Sequence, residues 1–515
     1  MRNLRSISAL LAATVAFTTP VFADEHLKVT DEPLTLDIHF HFRDRVVYDN
    51  NWPVEKRAAE LTGVSLNNVA SLASTSSQEA FNLLIASGDI PDIVGGDSLK
   101  DKFNLYGPQG AFLPLNELIE EHAPNIKAFF DENPDLLKAA QAADGNLYYI
   151  PYLPDGKFAR AWFVRQDWLD KLGLEAPDNV DELYEVLTAF RNQDPNGNGK
   201  KDEIPYFARQ WPELLRLLVL WDGRSTGTDA AHGFYVEDGE VKHPYTGENY
   251  KIGISNIAKW YKEGLIDPEV FTRGARTREE LLGNNVGGMT HDWFASTSGY
   301  NVSLADEVPG IDFRAFLPPK SVSGKRIEEN RRTLLKPDGW AIGHTNENPI
   351  ETIKYFDFWF TEEGRRLANF GLEGEQYDLV DGKPQFKDEV LNSDSPVNAQ
   401  LWAIGAQIPR GFFMDYSYEE QWTNEIALEG IKLYESEDLL IPEFLGVSMT
   451  PEEQEVYDRY WSSILTYMLE KQQAWILGSG DVEAEWDSYN AQLERLGYDK
   501  VMEVMNTAYD RQYGE

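Results

Sequence analysis

The sequence predicts an α/β protein. Near its start, segments with the alternating pattern of strands take turns with segments of helical periodicity, and this order favours a parallel sheet covered by helices. The chain has 515 residues and is 42% hydrophobic and 12% aromatic. A composition and length of this kind provide enough apolar surface for one large α/β unit, or for two or more lobes with separate cores.

The first predicted elements follow one another closely. Leu34–Phe42 alternates apolar and polar residues and is rich in β-formers, so it predicts a strand. A helix is predicted over 52–61, with Pro53 near its start, and a second over 76–87. Residues 90–94 predict a short buried strand. This succession places a sheet at the beginning of the protein.

One further strand and four helices are predicted later in the chain. Residues 147–152 predict a strand that runs into Pro-Asp-Gly, which indicates a crossover between lobes. The first of these helices is predicted from 178 onward, where Leu183, Val186, Leu187 and Phe190 form an apolar stripe. The others are predicted over 254–263, 349–360 and 450–477. The last has Thr450 as its N-cap and Glu453 three residues later.

The first 23 residues have the pattern of a signal peptide. Arg2 and Arg5 give a positive start, residues 7–17 form an apolar run too short to span a bilayer, and small residues precede Asp24. We therefore expect an exported, periplasmic protein. The chain has no cysteine, so a lipid anchor on a cysteine is not expected.

The formal net charge is −39. Nucleic acid is not expected as a partner, because a protein that binds it needs a basic face. The charge does not exclude an anionic ligand, because a pocket of arginines can reverse the local potential.

The segment DPNGNGKKDEIP, residues 194–205, begins like a calcium-binding EF-hand loop. The expected ligands are Asp194, Asn196, Asn198, the backbone carbonyl of Lys200, Asp202 and Glu203. Gly199 allows the sharp turn, but Pro205 stands where an EF-hand has its last glutamate and indicates an extended exit. We therefore expect a structural Ca²⁺ and no sensor function. A Gly/Asn turn without an ion is the alternative.

Several segments resemble the extracellular solute-binding proteins of bacterial ABC sugar importers. They are ASGDIPDIV at 86–94, WLDKLGL at 168–174, DELYEVL at 181–187, and GLEG at 371–374 with Tyr377. Within that family, HFHFRDR at 39–45, GGDSLKDKF at 95–103, THDWFAST at 290–297 and YEEQW at 418–422 are similar to the periplasmic binding proteins for alginate oligosaccharides. The resemblance covers nearly the whole chain after residue 30 and includes the calcium-like loop.

The resemblance implies a periplasmic-binding-protein fold, in which two α/β lobes are joined by a hinge and enclose a ligand cleft. It implies an N-lobe of residues 24–152 and about 324–392, and a C-lobe of residues 153–323 and about 393–515. The implied function is capture of alginate (uronate) oligosaccharides and their delivery to the permease subunits of an ABC transporter. We expect a monomer that is not an enzyme.

The resemblance also implies the sugar-binding residues. Arginine can hold a uronate carboxylate with two parallel hydrogen bonds, and aromatic rings can stack on sugar faces. The implied residues are Arg43, Arg45, Tyr152, Trp293, Ser296, Arg332, Tyr418, Glu419 and Trp422.

These assignments have alternatives. Arg43 and Arg45 could form exposed salt bridges, Trp293 could belong to the core, and Tyr152 could only pack at the hinge. The adjacent Arg331 could take the place of Arg332.

Three other functions remain open from the sequence. The ligand could be another acidic oligosaccharide, such as an unsaturated glycosaminoglycan or pectin fragment. A lyase or hydrolase acting on the same polymer would need a positioned acid and base, and no such motif is recognisable. His39 and His41 resemble the first strand of metal-dependent amidohydrolases, but further ligands cannot be assembled from the eight histidines of the chain.

Overall fold

The structure, a computed structural model, describes residues 27–42, 46–225, 233–274 and 276–514. The predicted signal peptide lies outside these residues.

The strands of the described chain are numbered in chain order. They are β1 Leu34–Phe42, β2 Val46–Val47, β3 Val64–Asn68, β4 Ile93–Gly96, β5 Ile150–Pro151, β6 Arg160–Arg165, β7 Ile204–Tyr206, β8 Tyr235–Glu237, β9 Glu240–Lys242, β10 Gly287–Trp293, β11 Phe313–Phe316, β12 Gly339–Ile342, β13 Tyr377–Val380 and β14 Lys383–Phe386.

The α-helices are numbered in the same way. They are α1 Pro53–Thr62, α2 Ser77–Ser87, α3 Lys100–Tyr106, α4 Asn116–His122, α5 Pro124–Glu132, α6 Pro134–Ala140, α7 Gln166–Leu172, α8 Val180–Asn192, α9 Gly247–Lys262, α10 Thr277–Gly283, α11 Phe294–Ser298, α12 Tyr300–Ser303, α13 Pro349–Phe358, α14 Glu362–Phe370, α15 Asp388–Leu391, α16 Val397–Ala403, α17 Ser417–Glu420, α18 Glu425–Glu435, α19 Pro451–Ile476, α20 Val482–Leu496 and α21 Tyr498–Tyr513. A 3-10 helix spans Trp211–Trp221.

The first sheet has six strands. Its order is β2-β1-β4-β12-β5, and β3 also pairs with β1. β1 runs parallel to both β3 and β4, with Ile38 opposite Ile93, so the predicted parallel sheet is confirmed. β12 returns from later in the chain and runs antiparallel to β4 and β5.

The second sheet has four strands in the order β11-β6-β10-β7. β10 runs antiparallel to β6, with Trp293 opposite Arg160, and parallel to β7, with Met289 opposite Tyr206. The end of β10, the end of β7 and the start of β6 therefore lie at the same edge of this sheet.

Separate apolar cores surround the two sheets, and the two-lobe α/β fold is confirmed. The first core contains residues from Leu36 to Leu153 and from Leu335 to Tyr418. The second lobe has one core on each side of its sheet. Parallel pairing of Leu153 with Phe413 and antiparallel pairing of Phe158 with Arg331 hold the crossovers together.

The packing differs from the predicted lobe boundary near residue 393. Val397 and Leu401, four residues apart on α16, form an apolar stripe that is buried in the first core, and Phe412 follows them there. The segment from 397 to 418 therefore packs with the first lobe, although its predicted place is the second.

Three strongly patterned elements agree with the sequence. β1 has the predicted bounds. α8 begins after its N-cap Asn179 and buries the predicted apolar stripe. α19 begins with the predicted capping box, in which Thr450 and Glu453 bond each other's backbone amides.

The predicted 147–152 strand is shorter than expected. The amide of Leu147 donates to the side chain of Asn116, and its carbonyl accepts from Leu115, so this end bonds to a loop and not to β12. Within the described ranges, no helix combines the length and apolar character needed to cross a bilayer.

Candidate functional site

A cavity of about 220 Å³ lies between the two lobes. Four of the predicted site residues line it: Trp293, Ser296, Arg332 and Glu419. Phe158, Tyr416, Thr423 and Ile431 are among the other lining residues. Tyr416 packs against the first core and Ile431 belongs to the second lobe, so both lobes contribute to the wall.

Trp293 forms one wall of this cavity. It is the last residue of β10, and its side chain is 38% exposed. Among the described residues it is the one aromatic in the set of exposed large hydrophobic side chains, which argues against the core alternative. The guanidinium of Arg160 lies 4.4 Å from its ring centroid and covers one face of the ring.

Ser296 follows Trp293 on α11. Its hydroxyl oxygen accepts a hydrogen bond of 2.8 Å from Nη1 of Arg278, which also donates to Thr297. Arg278 thereby holds the Ser296 oxygen, and the hydroxyl can still donate its own proton.

Arg332 lies on the crossover between the lobes. Its two terminal nitrogens donate to the two carboxylate oxygens of Glu419 at 2.8 and 2.7 Å, and its guanidinium lies 5.0 Å from the Tyr416 ring centroid. Burial alone lowers the pKa of Arg332, but attraction and hydrogen bonds from Glu419 outweigh it and raise the pKa above its usual value. Nε of Arg332 is buried without a hydrogen-bond partner and lies next to Gly156.

Arg331 and Arg332 point to opposite sides of the crossover. Arg331 lines a second cavity, of about 480 Å³, where Nε lies 3.9 Å from the carboxylate of Glu443. That cavity also holds Lys100 and Glu329, so charges of both signs line it. Only Arg332 of the two neighbouring arginines shares the smaller cavity with Trp293, which favours the predicted assignment.

Tyr152 packs at the crossover. Its hydroxyl donates to the sulfur of Met414 at 3.2 Å, and its ring lies 5.0 Å from that of Phe412. These contacts agree with the alternative of hinge packing, and Tyr152 does not line the 220 Å³ cavity.

Tyr418 and Trp422 share one face, as their spacing predicts, with ring centroids 6.2 Å apart. Tyr418 is only 8% exposed, however, and its ring packs against Phe370 in the first core. Neither ring lines the 220 Å³ cavity, and the same chain segment contributes Tyr416 and Glu419 instead. In this structure the expected stacking platform at Tyr418 is therefore part of the core.

Arg43 and Arg45 lie outside the described residues, so their predicted contacts with carboxylates stay predictions. Phe42, which immediately precedes them, ends β1.

His39 and His41 are both buried on β1. Burial, together with a smaller effect of the nearby His41, lowers the pKa of His39 to about 4. Nε2 of His41 lies 3.2 Å from the carbonyl oxygen of Ser74. No group of three or more His, Cys, Asp or Glu side chains that could hold a metal is found in the described parts of the chain.

The calcium-like loop is closed by hydrogen bonds to its own side chains. The carboxylate of Asp194 accepts from the amides of Asn198 at 3.0 Å and Gly199 at 3.1 Å. The side-chain oxygen of Asn198 accepts from the amide of Lys200 at 2.8 Å, and its side-chain nitrogen donates to Asp202 at 3.1 Å. These bonds direct the oxygen-bearing side chains into one short loop.

Glu203 provides the test of whether this loop fits a cation. Its side chain is buried at 9% exposure, and neither carboxylate oxygen has a hydrogen-bond partner. Burial raises its pKa, and the charges of Asp202 and Asp194 add to this rise, whereas backbone amides of Glu203 and Asn196 act against it. A buried carboxylate in a loop of Asp and Asn side-chain oxygens fits a hard cation bound by oxygen ligands.

The loop precedes β7, whereas the cavity residues follow the ends of the strands beside it. The candidate cation site and the cavity therefore lie at opposite edges of the second sheet.

The sequence model of the bacterial extracellular solute-binding proteins matches residues 55–369. The chain belongs to this family. Its two-lobe architecture and its cavity between the lobes are those of a solute-binding protein.

Known solute-binding proteins resemble the chain over most of its length. The crystal structure of the alginate-binding protein AlgQ2 without calcium ion is 51% identical, with a TM-score of 0.78 over 94% of this chain and 99% of that one. The fructooligosaccharide ABC transporter substrate-binding protein FusA of Streptococcus pneumoniae is 27% identical over 457 residues, which cover 84% of this chain and 82% of FusA. The structure of FusA with kestose has a TM-score of 0.70 at 25% identity and covers 93% of this chain and 99% of that one.

Sequence reasoning missed several residues around the cavity. Arg160 and Arg278 meet Trp293 and Ser296 only through the pairing of separated segments, and no local motif marks them. Tyr416 lies two residues before Tyr418, and an exposed-aromatic pattern alone could not decide between them.

Proposed function

We propose that this chain is the periplasmic substrate-binding protein of an ABC importer and that it captures alginate oligosaccharides. It binds its ligand between the lobes, does not alter it chemically, and delivers it to the permease subunits. The observation that carries the proposal is the presence of Arg332 and the exposed Trp293 in one cavity between the lobes. Identity of 51% with an alginate-binding protein over 94% of the chain supports the choice of sugar.

The chemistry of the cavity suits a uronate. The exposed ring of Trp293 offers a flat apolar surface for a sugar ring. The terminal nitrogens of Arg332 each have a second N–H that can donate to a carboxylate, and Glu419 both holds Arg332 and can accept from sugar hydroxyls. Arg43 and Arg45 are further proposed contacts to carboxylates.

The cavity of about 220 Å³ is smaller than the 300 Å³ or so at the lower end for drug-sized ligands, so an oligosaccharide must extend beyond it or the lobes must move. We propose that it marks one subsite of a longer cleft. Tyr152 at the crossover, and Tyr418 and Trp422 beside the cavity, become ligand contacts only if the lobes rearrange.

A structural Ca²⁺ in the 194–203 loop belongs to this proposal. The residues that would hold it are Asp194, Asn196, Asn198, the carbonyl of Lys200, Asp202 and Glu203. Export through the signal peptide, freedom from a lipid anchor and a monomeric state are also proposed.

Calorimetry with a panel of sugars tests the function. The panel contains alginate, pectin and glycosaminoglycan oligosaccharides and a neutral fructooligosaccharide. We expect one-to-one binding that is tightest for alginate, with the ligand recovered intact. If another sugar of the panel binds most tightly, that sugar and not alginate is the substrate. Newly formed sugar ends would show that the protein is an enzyme and not a receptor.

The neighbouring arginines provide a matched pair of variants. Arg332→Met should weaken alginate binding by about 1.5–3 kcal/mol, because it removes a charged hydrogen bond to the ligand. Arg331→Met makes the same change of charge on the other side of the crossover and should leave the affinity nearly unchanged. Equal effects of the two variants would contradict the site assignment.

A further inference from the structure

A buried cluster of arginines lies behind the second-lobe wall of the cavity. Glu213 is at its centre, and one of its carboxylate oxygens lies 3.2 Å from Nη1 of Arg160, 2.7 Å from Nη2 of Arg209 and 3.1 Å from Nη2 of Arg216. The side chains of Arg160, Arg216 and Glu213 are each at most 8% exposed, so the three are largely removed from water.

Asp292 is the second carboxylate of the cluster. It is fully buried and lies 3.1 Å from Nε of Arg209 and 3.4 Å from Nε of Arg278. Asp292 immediately precedes Trp293 on β10, and Arg209 follows β7, so the cluster lies at the strand ends that form the cavity wall.

The cluster carries excess positive charge. Four guanidinium groups face two carboxylates. A third carboxylate, Glu328, attracts Arg160 from farther away and is itself bonded to His291 at 2.9 Å. Four positive charges minus three negative charges leave at least one positive charge. Burial and the charge of Asp292 raise the pKa of Glu213, whereas Arg209 and Arg160 act against this rise.

Two of these arginines contact the cavity wall from behind. Arg160, at 3% exposure, stacks under Trp293, and Arg278 donates to the Ser296 hydroxyl. They reach the cavity through these side chains and not by direct contact, since neither lines it.

We propose that this arginine cluster makes the cleft prefer acidic sugars over neutral ones. The proposal rests on the function proposed above. A positive charge that water screens poorly attracts a carboxylate several ångströms away, and this attraction acts in a protein whose net charge of −39 otherwise repels anions. Arg160 and Arg278 are positioning residues, because they also hold Trp293 and Ser296 in place.

The test compares an alginate trisaccharide with the same trisaccharide after reduction of its carboxyl groups to alcohols. Calorimetry gives both dissociation constants for the wild type and for Arg160→Met. We expect the preference for the acidic form to fall about tenfold in the variant, mainly through weaker binding of the acidic sugar. Arg160→Lys keeps the charge and should retain most of the preference.

Arg165→Met is the matched control. Arg165 lies at the other end of β6, is buried, stacks on Trp168 at 4.7 Å and pairs with Asp167 at 2.6 Å. Arg165→Met changes the net charge by the same amount as Arg160→Met and also removes an arginine that stacks on a tryptophan. Arg165 is far from the cavity, however. An equal fall in preference for Arg165→Met would overturn the proposal, because it would show an effect of total charge.

Arg209→Met provides a second route if Arg160→Met fails to fold. Its side chain is 20% exposed, and its removal leaves Glu213 and Asp292 with other arginines. We expect the same fall in preference. If the wild type prefers the acidic trisaccharide and both cluster variants keep that preference, the cluster proposal fails while the proposed function stands. If the wild type itself does not prefer the acidic trisaccharide, the proposed function fails and the cluster proposal falls with it.

Discussion

The buried side chain of His39 makes the stability of the first lobe depend on pH. Burial lowers the pKa of His39 to about 4, whereas an exposed histidine in the unfolded chain has a pKa of about 6.5. Between these values the unfolded state binds more protons than the folded state, so the free energy of unfolding falls as pH falls. The stabilisation is complete above pH 6.5 and is lost on approaching pH 4.

Replacement of this side chain by one that does not titrate should remove the effect. We expect wild type to lose about 2 kcal/mol more than His39→Gln when the pH falls from 7 to 4.5, as measured by urea unfolding. His122 lies on the surface helix α4 and bonds no core residue, so His122→Gln should follow the wild type. Identical acid sensitivity of wild type and His39→Gln would contradict this account.

At the scale of elements, the effect of the Glu203 carboxylate on stability should reverse when calcium binds to the 194–203 loop. Without the ion, the unpartnered, buried carboxylate of Glu203 destabilises the fold at neutral pH, so Glu203→Gln should be at least as stable as wild type in a chelator. With calcium at about a hundred times Kd, wild type should gain about 2.7 kcal/mol and Glu203→Gln much less.

Thermal unfolding with and without calcium measures this difference. Sugar affinity well below the unfolding temperature should be nearly unchanged by chelation, because the loop and the cavity lie at opposite edges of the second sheet. A large loss of affinity in the folded, chelated protein would contradict a purely structural ion.

The elements that the sequence predicted well are those determined by local pattern. β1 alternates along its whole length, α8 carries a regular apolar stripe and a capping asparagine, and α19 carries a capping box. The lobe boundary near 393 differed from the packing because an apolar stripe such as that of α16 does not say which core it enters.

Prediction of the site was limited in the same way, because a local pattern does not show which distant residues a side chain will contact. Trp293 was predicted from a long matching segment, but burial of Tyr418 depends on Phe370, which lies far from it in sequence. The arginine cluster joins residues from β6, β10 and the segments after β7, so only the folded sheet brings them together. Spacing along the chain indicates only the local pairs of Glu213 with Arg209 and Arg216, and it carries no signal for the contacts with Arg160, Arg278 and Asp292.

At the scale of the whole molecule, the hinge requires a residue without a side chain at position 156. Gly156 has φ of +99°, and a Cβ there would meet the Tyr416 ring at 3.0 Å and Nε of Arg332 at 3.2 Å. The crossover therefore passes directly against Arg332 and Tyr416, which line the cavity where we propose that the ligand binds. If the lobes close on the ligand as proposed, this motion and the position of Arg332 should depend on the same few atoms.

Gly156→Ala should therefore disturb both binding and closure. We expect alginate binding to weaken about tenfold, because the new methyl group displaces Arg332 and Tyr416. In solution X-ray scattering, wild type should become more compact on saturation with an alginate oligosaccharide, as expected for hinge closure, and the variant should compact less.

Gly145→Ala separates this effect from backbone strain, because Gly145 has φ of +82° but open space around it. Both variants should lose roughly 1–2 kcal/mol of stability from the left-handed backbone, and Gly145→Ala should bind and compact like wild type. Equal affinity and equal compaction in the two variants would show that position 156 does not couple the hinge to the site.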